Sequence, residues 1–293
     1  MKSIKRSLVA AATFCILALF TFSARAEPVL WVIKGPHATV YLFGSVHILR
    51  PDRPWRSSKI DAAIKASDTL YLEIPDADDQ AAMQPLIMQL GVDVQHPLST
   101  KLTKDQLSQL DVVARKAAIP NGEATLEPLR PWLAAISLSE APMVAAGFDP
   151  KSGVEFVLKP EFVKDNKPVL GLEDAAKQFH FFADLPQKQE VDYLNSTVSD
   201  FDHAPNNLKK LIDAWYAGDL KQLNDLLNGE FRTKYPDLYQ LLIVQRNRSW
   251  IPQIQKLIEG TGTTFVAVGA GHLVGPDGVP ALLEKAGIAV TRQ

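Results

Sequence analysis

Short apolar, β-branched runs stand at Val29 to Ile33, Thr39 to Phe43, Thr69 to Glu73, Pro168 to Leu172, Thr264 to Val268 and Ile288 to Thr291. Each is bounded by Gly, Pro or charged residues, so each is expected to be a strand. Helical patterns lie between them. Ser57 or Ser58 can cap Lys59 to Ala66, and Asp76 precedes Gln80 to Gln89. Thr103 with Gln106 three residues on forms a capping box for Asp105 to Ala117. From Leu126 to Phe182 and from Gln187 to Gly260 apolar residues recur at the 3.6 period, as in Leu208, Leu211, Ile212 and Trp215. Strands at both ends with helices between them predict a mixed α/β fold. Its central mixed sheet is built from N- and C-terminal strands, is flanked by helices and carries a large helical insertion in the middle.

The first 26 residues follow a different pattern. Lys2, Lys5 and Arg6 lead into an apolar run from Leu8 to Phe22, and Ala24-Arg25-Ala26 places small residues at the −3 and −1 positions of a cleavage site. This reads as a secretory signal peptide over residues 1–26, with 27–293 as one domain, because no Gly/Ser or Pro-rich linker or repeat divides the rest. Without the leader the chain carries 27 Lys and Arg against 33 Asp and Glu, a net charge of −6. That acidity argues against nucleic acid or an anionic membrane as partner. The single cysteine, Cys15, lies in the leader, so the mature chain has no thiol for a disulfide, a nucleophile or a metal. No other apolar stretch approaches the roughly 20 residues that cross a bilayer, so stable membrane insertion is not expected. A periplasmic or secreted protein is expected.

Two strand endings match. Val40 to Phe43 runs into Gly44-Ser45-Val46-His47, and Phe265 to Val268 runs into Gly269-Ala270-Gly271-His272. A glycine at a strand end lets the backbone turn or be approached closely, and the imidazole three residues on then sits at the carboxyl edge of the sheet. Open α/β sheets bind their ligands along that edge. Glu73 ends the Thr69 run and Glu173 follows Leu172 in the same way. Singly, each of these four residues reads as a loop or capping residue. Together they form a nitrogen and oxygen set suited to a divalent transition metal with positions left open for water. Arg246 lies in an apolar helical stripe, Leu241 to Arg248, and is either a solvated end or a buried, paired cation facing Glu73, Glu173 or a substrate carboxylate.

Other signals are weaker. Gly269-Ala270-Gly271 with Gly275 imitates a dinucleotide loop, but only 18 residues follow Gly275, too few for the rest of such a unit. HExxH, a phosphate loop and a Gly-x-Ser-x-Gly elbow are absent from the sequence. Ser45 beside His47 lacks a third orienting group and is not read as a nucleophile. The aromatic cluster Phe179 to Phe182 reads as core packing rather than a ligand platform.

With Leu72-Glu73, Arg130-Pro131-Trp132, Gly153-Val154-Glu155, Lys167 to Glu173, Gln178, Arg246-Asn247 and both Gly-x-x-His segments in order, the chain resembles the TraB/PrgY/GumN proteins. These include the animal Tiki proteases and are related to the erythromycin esterase and ChaN-like fold. The resemblance implies a metal-dependent peptidase or related hydrolase. Carried over by position, His47, Glu73 and His272 would hold a divalent ion, manganese, cobalt or zinc. Glu173 would be a ligand or general base, and Arg246 would orient a substrate carboxylate or the carbonyl under attack. One departure is Glu155, where the family pattern has an aspartate, which leaves that carboxylate without an assigned role. The expected partner is a peptide or small-molecule substrate. Two other readings stay open: a non-catalytic accessory protein holding a peptide or glycan in the same crevice, and four polar residues that only tie the sheet edge together.

Overall fold

The computed structural model describes residues 27–293; the expected signal peptide lies outside the described residues. Six strands form one sheet: β1 (Leu30–Lys34), β2 (His37–Ser45), β3 (Thr69–Leu72), β4 (Val169–Gly171), β5 (Thr261–Gly269) and β6 (Thr291–Arg292). Their order is β4-β3-β5-β2-β1-β6. The expected mixed sheet is present. β4, β3, β5 and β2 run parallel, while β1 and β6 add an antiparallel edge. The last long strand, β5, enters between β2 and β3, so the sheet is complete only when the C-terminal part of the chain arrives. β1 and β2 form a hairpin at Gly35, where a Cβ would lie 1.9 Å from the Ile258 carbonyl oxygen. β6 is shorter than the predicted run and pairs only with Trp31 and Val32.

The central strands are apolar on both faces, as a sheet covered by helices on each side requires. On one face Phe43 packs on Trp55, Trp215 and Phe265 at centroid distances of 5.4, 6.0 and 5.8 Å. The helices Ser58–Ala66, Val154–Lys164 and Ala204–Ala217 bring Ile64, Leu158 and Ile212 to the same cluster. On the other face Trp250, Ile254 and Ile258 of the helix Arg246–Glu259 cover Val40, Leu42, Val266 and Val268. The predicted helical insertion lies between β3 and β5 and has its own buried cluster around Leu110, Ala134, Leu138 and Leu194. β4 interrupts it, which returns the chain once to the sheet.

Local capping follows the sequence with one change. Ser57 caps the helix Ser58–Ala66, and the Thr103–Gln106 capping box is formed at Lys104–Lys116. The helix Gln80–Gly91 is capped by Asp79 rather than Asp76. Asp79 Oδ1 accepts from the amides of Ala81 and Ala82 at 2.9 and 3.1 Å, whereas Asp76 uses its carbonyl to close the turn before it. Among the described residues no helix is long and apolar enough to cross a membrane.

Candidate functional site

The register of the parallel strands brings four sequence-distant segments to one edge. Ser45 pairs with Gly269, Leu72 with Ala267, and Leu72 with Gly171. His47, Glu73, Glu173 and His272 therefore all emerge where the strands end, as their shared sequence context predicts. Glu173 extends the ladder, its amide donating to the Glu73 carbonyl at 2.9 Å. The two Gly-x-x-His segments touch. A Cβ on Gly44 would sit 3.2 Å from Ala270 Cα, so glycine is what permits this approach. The Gly44 carbonyl accepts from the Trp215 indole at 2.7 Å, which anchors the start of the first segment.

His47 turns its side chain into a cleft, with 68% of it exposed. Its Nδ1 lies 2.8 Å from Glu155 Oε1, and the Ser45 hydroxyl donates to the same oxygen. Ser45 is buried, and its hydroxyl is turned to Glu155 rather than to His47. Glu155 is the residue whose role the sequence left open, and its longer side chain reaches His47 from the start of the helix Val154–Lys164. Its carboxylate holds the His47 imidazole up at about 9. Burial works to raise Glu155 itself, but His47 and Ser45 outweigh it and hold it below the usual carboxylate range.

Gly153 makes this pairing possible. Its Cα passes so close to the His47 carbonyl that a Cβ would lie 2.1 Å from the oxygen, while the Val154 amide donates to the Val46 carbonyl at 3.1 Å. Gly153→Ala is expected to force the helix start off the His47 loop and to destabilise the fold by about 1–3 kcal/mol. Thermal unfolding of the purified variant checks it; an unchanged midpoint would show that the contact is slack.

Behind the cleft lies a buried charged cluster. Arg246 Nε donates to Glu173 Oε2 at 2.9 Å, Nη2 to Glu73 Oε2 at 2.7 Å, and Nη1 to His272 Nε2 at 3.0 Å. The guanidinium also lies 5.0 Å from the Trp250 ring and 5.6 Å from that of Phe181. Of the two sequence readings of Arg246, the buried, paired cation is the one found. Burial opposes its charge, but Glu73 and Glu173 outweigh that and hold it protonated. Burial would likewise raise Glu73; His272, Arg246 and His47 reverse this and hold it at about 2. His272 is lowered to about 4 by burial, with Arg246 adding to the effect against Glu73. Glu173 Oε1 is buried without a hydrogen-bond partner, with Lys177 Nζ 3.6 Å away.

Both histidines are held through Nδ1. Asn247 donates its amide to the carbonyls of His272 and Asp277 at 3.3 and 2.7 Å, so its oxygen faces His272 Nδ1 at 2.6 Å and accepts that proton. His272 Nε2 then carries the lone pair, 3.6 Å from Glu73 Oε1. His47 is anchored by Glu155 in the same sense. The groups meet around Gly269, where a Cβ would fall 3.1 Å from Glu73 Oε1 and 3.7 Å from both His47 Nε2 and His272 Cδ2. The Gly269 amide donates to Glu73 Oε1 at 2.7 Å.

In type and convergence these residues fit a divalent cation, and His272 also in tautomer, since ligating imidazoles characteristically donate their second nitrogen to an oxygen acceptor; His47, held protonated by Glu155, would release its Nε2 proton on binding one. As they stand, no group of three or more His, Asp or Glu among the described residues is set to hold one. The Arg246 guanidinium takes His272 Nε2 and Glu73 Oε2 instead. His47, Glu73 and Glu155 border a cavity of about 380 Å³ whose other walls include Phe156, Phe179 and Phe182. Glu173 and Arg246, expected at the reacting centre, stand behind Glu73 and do not line this cavity. Phe179 and Phe182 pack on Trp132, both at 5.8 Å, as core residues should, yet they also form a cavity wall, which the sequence reading did not anticipate.

The model of the TraB/PrgY/gumN family matches residues 29–292. "Uncharacterized protein YbaP" of Escherichia coli strain K12 is 26% identical over 243 residues, 83% of this chain and 87% of the relative. An "Uncharacterized protein" of Treponema pallidum is 20% identical over 284 residues, 92% of this chain and 83% of that protein. No solved structure matches. With one family model spanning β1 to β6 and both Gly-x-x-His segments, the chain belongs to the TraB/PrgY/gumN family.

Proposed function

We propose that the protein is an exported, metal-dependent hydrolase of the peptidase type. The observation that carries this reading is the pair of Nδ1-anchored histidines converging with Glu73 around Gly269, beside a cleft. His47, Glu73 and His272 would hold a manganese, cobalt or zinc ion. When bound, such an ion lowers the pKa of its water and polarises the carbonyl under attack. The chain's own residues do the rest. Glu155 fixes the ring of His47 and keeps its Nε2 toward the cleft. Asn247 fixes the ring of His272 with its Nε2 toward Arg246 and Glu73, and Arg246, itself held by Glu173, keeps the buried Glu73 carboxylate ionised and oriented. The apparent leader over residues 1–26 supports export.

Metal uptake by the purified mature protein tests this directly. The wild type should bind manganese, cobalt or zinc, and a His47→Ala, His272→Ala double variant should not; equal and negligible uptake by both overturns the metal reading. Glu155→Gln should weaken binding about 10–100-fold, as loss of a partner to a ligating histidine does elsewhere. Hydrolysis of a peptide library should stop on chelation. Saturable binding without product would replace the hydrolase by a binding protein using the same crevice.

A further inference from the structure

The cavity beside His47 and Glu73 is divided by chemistry. At one end stand two carboxylates, each satisfied within the protein, Glu73 by Arg246 and Glu155 by His47. Most of the rest is apolar, including Ala77, Met83, Ile136, Phe156, Phe179 and Phe182. At about 380 Å³ it lies in the range of small-molecule sites, which are mostly apolar with a few placed polar groups. The wall is built before any ligand arrives. Phe182 stacks on Trp132 with the rings 19° apart and on Tyr193 at 6.0 Å, so its face is held by buried aromatic packing. Phe156 follows Glu155 on the same helix, which ties the opposite wall to the residue that positions His47. One neutral polar group joins them. Gln178 borders the cavity, and its side-chain amide makes no hydrogen bond among the described residues.

We propose that this cavity is a subsite for a bulky apolar side chain of a peptide substrate, next to the bond that is cleaved, with Gln178 contacting the substrate main chain. The proposal rests on the peptidase reading of the same edge. A charged side chain would have to shed its water among Phe156, Phe179 and Phe182, where the charged neighbours at the cavity's end are already paired, His47 with Glu155 and Glu73 with Arg246, a cost that an aromatic or branched aliphatic one does not meet. Burying the latter is favourable in proportion to its apolar area.

Binding of three blocked tripeptides to the mature protein, followed by NMR titration, decides the matter. The probes are acetyl-Gly-Phe-Gly-amide, acetyl-Gly-Gly-Gly-amide and acetyl-Gly-Asp-Gly-amide, each measured with manganese and again with chelator. The Phe peptide should bind at least about tenfold more tightly than the other two. Ala77, on an exposed turn at the cavity mouth, accepts a large residue without disturbing the core. Ala77→Trp should remove the preference, and Ala77→Ser should keep it. Equal binding of the three peptides, or an undiminished preference in Ala77→Trp, overturns the subsite. Its failure is separable from that of the hydrolase reading. Chelator-sensitive turnover without a Phe preference sinks only the subsite, whereas a Phe preference that Ala77→Trp abolishes, without turnover, keeps the subsite and sinks only the hydrolase.

Discussion

An Arg246→Met variant is expected to lose about 3–5 kcal/mol of folding stability, measured by urea unfolding, because it strands two buried carboxylates. Glu73 and Glu173 both accept from this one guanidinium, and Glu173 has no exposed side-chain surface through which to recruit water. The partner charges, rather than the lost contact, set the cost. Neutralising them should therefore restore much of the loss: the triple variant Arg246→Met, Glu73→Gln, Glu173→Gln should be closer to wild type than the single one. Arg246→Lys should fall between, since a point charge cannot serve both carboxylates and His272 as a planar fork does. A loss below about 1 kcal/mol in Arg246→Met would mean that water reaches and screens the cluster.

Trp250→Ala should cost a comparable amount, about 3–5 kcal/mol, by removing a fully buried ring and leaving a cavity behind it. It also removes the surface on which the site rests, since the His272 ring lies 4.5 Å from Trp250 and Arg246 lies over the same indole. Metal uptake should fall along with stability. Leu110→Ala, in the buried cluster of the helical insertion, should lose about 2–5 kcal/mol while leaving uptake intact. If both variants lose uptake equally at a temperature where each is folded, Trp250 supports the fold and not the site.

Much of this was legible along the chain. Val40-Tyr41-Leu42-Phe43 and Phe265-Val266-Ala267-Val268 are dense in residues that favour a pleated, buried surface, and a glycine ends each run. Those are local properties, so the strands and the placing of His47, Glu73, Glu173 and His272 at strand ends could be inferred from neighbours in sequence. The Thr103–Gln106 capping box has the same character, because a cap is satisfied within one helical turn. Glu155 and Gln178 were visible as motif residues, but nothing near them in the chain states what they meet.

The one-dimensional pattern by itself determined which segments are strands and helices, which side chains end the strands, and that residues 27–293 offer no thiol. Only the tertiary structure decided that β5 slots between β2 and β3, that Glu155 rather than Glu173 faces the cleft with His47, that Arg246 binds two carboxylates at once, and that Phe179 and Phe182 wall a cavity. The reason is physical. Periodicity and capping are settled over a few residues, whereas strand order, buried ion pairs and cavities depend on which distant surfaces must be removed from water together.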